Sequence, residues 1–94
     1  MTDLDDRERR IRATVRAIDR YCARNKIPIA IDGAVDEATA ATLLGYSSAD
    51  ALRKQASDGV NRVPYRVLGN RRLYRKADIA AEIERTYNGP ENAE

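Results

Sequence analysis

Glycines at positions 45, 59 and 69 cut the segment from residue 35 to residue 83 into pieces so short that only a succession of small elements fits it. Asp36 is a good N-cap for a helix through Leu44, and Gly45 supplies the left-handed residue that ends it. After a brief turn, Ser47 or Ser48 caps a second helix that reaches Ser57 or Asp58. Ser47-x-x-Asp50 resembles a capping box, and Gly59 closes the helix. Two short helices joined in this way make a helix-turn-helix. Residues 63–68 and 72–75, rich in β-branched and aromatic side chains, read as strands around a Gly69-Asn70 hairpin turn. Pro64 suits an edge or strand-start position, where a missing donor does little harm. A third helix is expected from Lys76 or Ala77 to Tyr87, with Ile79, Ala80 and Ile83 facing inward and Asn88-Gly89-Pro90 ending it.

Upstream, Ile11, Val15, Ile18 and Cys22 recur at helical spacing, and Leu4 extends the stripe by a heptad. Asp5, Asp6 and Glu8 load the start of this helix, while Arg20, Arg24 and Lys26 load its end, matching the helix dipole. Asn25 and Pro28 stop it. Residues 27–31 then alternate like a short strand or an extended linker before an Asp32-Gly33 turn. The expected organisation is a helical arm and linker over residues 1–31, a helix-turn-helix with hairpin over 32–88 and a flexible acidic tail over 89–94. The stripe on the arm either covers the apolar face of the domain or pairs with a second chain as a short coiled coil.

Ninety-four residues support one domain. Its core should be thin, since the apolar residues are mainly Ala, Ile, Leu and Val, with neither Phe nor Trp. A single cysteine, Cys22, excludes an intramolecular disulfide and is most simply a small buried hydrophobe. The absence of histidine removes the usual zinc-finger, metalloprotease and Ser/His/Asp arrangements. Carboxylate pairs such as Asp5/Asp6 and Glu82/Glu84 lie in charge-mixed helices without a pocket signature, so no catalysis, metal or cofactor is expected. No apolar run is long enough for a bilayer, and residues 1–8 are too acidic for a signal peptide, so a cytoplasmic chain without membrane partners is expected.

The net charge of +2 hides an asymmetry. Residues 1–44 hold eight basic and eight acidic groups, residues 45–76 eight basic and two acidic, and residues 77–94 one basic and five acidic. Cations concentrated in about thirty residues attract a polyanion whatever the overall charge.

Asp36, Leu43-Leu44-Gly45, Ser47, Leu52-Arg53, Gly59, Val63-Pro64, Gly69-Asn70-Arg71-Arg72 and Asp78-Ile79, in that order, resemble the MerR-like and excisionase-like winged-helix superfamily. The resemblance covers roughly half the chain. The turn before Leu52 is one residue longer than is usual there, and two extra residues lie between Gly59 and Val63. It implies a mainly α fold with a small β-hairpin, a winged helix-turn-helix preceded by an amphipathic N-terminal helix. It also implies double-stranded DNA as the partner. The small size, without a ligand-binding domain, resembles an excisionase or recombination directionality factor more than an effector-sensing regulator. An integrase or other protein partner goes with that role. The alternatives are a transcriptional regulator of a mobile element, a phage terminase small-subunit-like protein, and a winged-helix protein-interaction adaptor.

By this resemblance the second helix enters the major groove. Ala49, Leu52 and Ala56 form its inward side, which leaves Ser48, Asp50, Arg53, Lys54 and Ser57 as contact candidates. Arg53 is the first candidate for base reading, because arginine pairs bidentately with guanine. Lys54 suits phosphate, and Asp50 a cytosine amine. In the hairpin the candidates are Arg66, Asn70, Arg71, Arg72 and Arg75. Alternation sends neighbours to opposite faces, so they cannot all reach one groove. Arg71 suits a narrow minor groove, and Arg72 and Arg75 suit phosphates. Tyr65 and Tyr74 are expected to pack across the strands, and Tyr46 to lie in the core. Glu82 and Glu84, beside a basic hairpin, raise a head-to-tail filament or other homo-oligomer on DNA.

Overall fold

The computed structural model describes residues 3–87 and is mainly helical, with a small antiparallel sheet. In chain order it runs α1 (Asp3–Arg24), β1 (Ala34–Asp36), α2 (Glu37–Leu44), α3 (Asp50–Asp58), β2 (Arg66–Leu68), β3 (Arg71–Arg75) and α4 (Lys76–Arg85). The tail expected over 89–94 and the Asn88-Gly89-Pro90 stop lie outside the described residues, as does the Leu4 side chain.

The segment that carries α2 and α3 largely follows its local signals. Asp36 caps α2 by accepting from the Thr39 amide at 2.9 Å. Gly45 ends α2 with φ 92° and Gly59 ends α3 with φ 71°, left-handed conformations that cost a side chain strain. The start of α3 departs from expectation. Its N-cap is Ala49, without a side-chain cap, and Ser48 Oγ accepts only from the Asp50 amide at 3.3 Å. The Ser47 capping box does not form.

The sheet is larger than the expected hairpin. Its order is β1-β3-β2, with β3 central and both neighbours antiparallel to it. Ala34, Val35 and Asp36 pair with Arg75, Tyr74 and Leu73. Three residues are too few to show an alternating pattern, so β1 gave no sequence signal. The turn before it did: Gly33 takes φ 81°, and Asp32 Oδ1 accepts from the Ala34 amide at 3.3 Å. Strand β2 is shorter than the expected 63–68, because Pro64 contributes no ladder donor and Val63 turns into the core at 4% exposure. Helix α4 ends at Arg85 rather than Tyr87, with the Thr86 amide closing the last turn.

Ile18 and Cys22 of α1 belong to one hydrophobic cluster with Val35, Ala40, Ala41, Leu52, Val63, Tyr74, Ile79 and Ala80. The stripe on α1 is thus part of the central core. Thr14 Oγ1 donates to Glu84 Oε2 of α4 at 2.7 Å, and Lys76 bridges to Asp19 at the start of α4. Cys22 is buried, and that burial pushes its thiol pKa up. Residues 27–30 form an irregular linker outside the sheet and Ile31 opens the turn that follows: Ile27 packs on the core, and Ile31 is fully exposed.

Among the described residues no helix is long and apolar enough to cross a membrane, and no group of His, Cys, Asp and Glu could hold a metal.

Candidate nucleic-acid interface

Residues opposite one another across an antiparallel pair share a face, so the register sorts the hairpin side chains. Arg66 faces Leu73, Leu68 faces Arg71 and Ala34 faces Arg75, which puts Arg66, Arg71 and Arg75 on one face. Val35, Val67, Arg72 and Tyr74 occupy the other, and Tyr74 and Val35 are in the core. The first is the outer face: it lies away from that cluster, although its own Leu73 and Ala34 are buried, at 4% and 2% exposure. Arg72 is excluded from it.

The inward position of Arg72 is fixed by Glu37, the first residue of α2. Arg72 Nη1 donates to the Glu37 carboxylate at 3.3 and 3.4 Å, and its guanidinium lies 5.5 Å from the Tyr65 ring centroid. Tyr65 and Tyr74 pack with centroids 5.7 Å apart, as expected of cross-strand tyrosines. Tyr74 Oη donates to Glu37 Oε2 at 2.7 Å; burial, and then the Glu37 carboxylate beside it, push the phenol pKa well up. Arg53 of α3 reaches the same carboxylate at 3.8 Å. Glu37 thus ties α2, α3 and β3 together. Sequence reasoning missed this role, because its partners lie 35 and 37 residues away in the chain.

On the outer face, Arg66 Nε donates to Asp32 Oδ2 at 3.0 Å. Loss of solvent works against ionisation of Asp32, but the Arg66 hydrogen bond and charge outweigh it and hold the carboxyl below its ordinary range. Arg75 lines a shallow cleft with Asp32, Tyr65, Arg66, Leu73 and Asp78. Arg71 is exposed beside the Gly69-Asn70 turn, and Asn70 is exposed with it. Among the described residues, neither the Arg71 nor the Arg75 side chain has an ion pair or hydrogen bond within the chain.

The charges of α3 are matched internally. Arg53 pairs with Asp50 one turn back, and Lys54 Nζ lies 3.3 Å from Asp58 Oδ2. Leu52 is 1% exposed and anchors the helix, while Ser48, Asp50, Arg53, Lys54 and Ser57 are exposed. Tyr46, expected in the core, is instead exposed, and its hydroxyl accepts from Gln55 Nε2 at 3.0 Å.

The carboxylates invoked for head-to-tail assembly are also taken up. Glu84 accepts from Thr14 and lies 3.7 Å from Arg10; Glu82 forms a double contact with Arg85 at 2.8 and 2.9 Å, which holds its carboxyl below the ordinary range. Their side chains are 12% and 16% exposed, respectively.

No family model, curated protein or solved structure matches this chain.

Proposed function

We propose that this protein binds duplex DNA through a winged helix-turn-helix made of α2, α3, the β2–β3 hairpin and α4. The observation that carries this reading is the distribution of unmatched charge. Of the eight cations in residues 45–76, Arg53, Lys54, Arg66, Arg72 and Lys76 are in ion pairs within the chain and the charge of Arg62 acts on Glu82, while among the described residues Arg71 and Arg75 have no such partner. Arg71 and Arg75 share the outer face of one strand beside an exposed tip. Two free guanidiniums four residues apart on one face of a strand suit the phosphates of a duplex backbone. In this reading the hairpin grips the backbone and α3 lies in the major groove, where Arg53 exchanges Asp50 for a base edge.

Among DNA-binding roles, an excisionase-like architectural factor or a mobile-element regulator acting in the cytoplasm fits the resemblance in residues 35–83. A footprint on DNA from the protein's own genetic neighbourhood tests this. A protected site beside an attachment site or promoter supports it; a site at a packaging sequence indicates the terminase-like role. One observation favours a second reading, a protein-interaction adaptor: the cations of α3 are already neutralised by Asp50, Asp58 and Glu37. Under that reading the footprint is empty.

A further inference from the structure

We propose that the outward face of α1 is a second phosphate-binding surface, seating the backbone of the same duplex that the hairpin grips; this rests on the DNA-binding reading above. Arg12, Arg16, Arg20 and Arg24 succeed one another at four-residue spacing, each rising about 6 Å along the helix. All four are exposed, on the side opposite Ile11, Val15, Ile18 and Cys22, and alanines at positions 13, 17 and 23 leave them uncrowded. Arg12 has a loose contact with Glu8 at 3.8 Å; among the described residues, Arg16, Arg20 and Arg24 have no ion pair or hydrogen bond within the chain.

An ordinary solvated helix face mixes charge signs, as the rest of this molecule does. Arg9 pairs with Asp6, Arg53 with Asp50, Lys54 with Asp58 and Arg85 with Glu82, each at three- or four-residue spacing. From Arg12 to Arg24 the spacing instead brings like charges together, an arrangement that destabilises a helix. The helix dipole accounts for cations in the last turn only. Arg12 and Arg16 lie too far from the end of α1 for that, so a polyanion is the complementary occupant. Burial of the apolar face of α1 in the core prevents insertion into a bilayer. The one acidic residue on this stretch, Asp19, is engaged by Lys76, and Lys76 follows Arg75 directly. This bridge ties α1 to the segment that follows the hairpin.

The test uses the full chain carrying Arg16→Gln, Arg20→Gln and Arg24→Gln together, with binding to a labelled duplex followed over a series of salt concentrations. Expected are at least tenfold weaker binding at low salt and a log–log salt slope shallower by about 2.7, the contribution of three phosphates. The thermal midpoint should hold or rise, since like charges have been separated. Arg16→Gln alone should reduce the slope by about 0.9. Affinity and slope equal to wild type, with Arg71→Ala still weakening binding, overturn the proposal and leave the hairpin grip standing. Loss of polyglutamate capture in the triple variant with DNA binding intact also overturns it, in favour of an acidic polypeptide. A wild-type chain with no affinity for any duplex overturns both readings.

Discussion

The Tyr74 hydroxyl donates a 2.7 Å hydrogen bond to Glu37 Oε2, joining the central strand of the sheet to the first turn of α2. Tyr74 is 0% exposed, so its phenol has no route to solvent in the folded chain. A hydrogen bond to a charged group contributes about 1.5–3 kcal/mol, and Tyr74→Phe should destabilise by about that amount. Urea denaturation with an unchanged m-value checks it.

The same bond sets a pH dependence. Burial and the neighbouring carboxylate raise the folded-state pKa of Tyr74 above the ordinary phenol value of 10.0. Below that value both the folded and unfolded chains carry the proton, and the contribution to stability is complete. As pH rises past it, the unfolded chain ionises first, and stability falls. Between about pH 10 and 12, wild type should lose stability more steeply than Tyr74→Phe, as read from denaturation midpoints.

Arg71 and Arg72 are adjacent but should behave oppositely. Arg72 is held by Glu37 and by the Tyr65 ring, so Arg72→Ala should lower the unfolding midpoint. Among the described residues Arg71 has no such partners; Arg71→Ala should leave the midpoint in place and weaken DNA binding at low salt. Thermal melts and duplex titrations on the two variants separate these outcomes.

This pair shows what the sequence revealed and where it stopped. Alternation along the hairpin implied that Arg71 and Arg72 point apart, but which side is buried follows from pairing with Ala34, Val35 and Asp36. That three-residue strand is visible only once the chain has folded back on β3. Caps were legible because they are local: Asp36, Gly45 and Gly59 act within a few residues of themselves. Glu37 was not legible, since its meaning comes from Arg72 and Tyr74 across the fold. The apolar stripe of α1 was plain in the sequence, and its place in the central core follows from its packing on α4.

Arg53 tests base reading. Its partners are Asp50, one turn back in α3, and Glu37 of α2, and the exchange of Asp50 for a guanine edge should contribute about 1–3 kcal/mol of discrimination. Arg53→Ala should therefore relax sequence preference, as measured with a randomised duplex library. An equal loss on all sequences makes Arg53 a phosphate contact. Leu52→Ala, which removes the anchor of α3, should cost about 2–5 kcal/mol of stability in urea denaturation.

The salt dependence of duplex binding, compared between wild type and the Arg71→Ala, Arg75→Ala double variant, tests the central claim most directly. Two phosphate contacts from the outer face of the hairpin predict a log–log slope shallower by about 1.8 in the variant, with its thermal midpoint unchanged. A slope and affinity equal to wild type would contradict the hairpin grip and favour the adaptor reading.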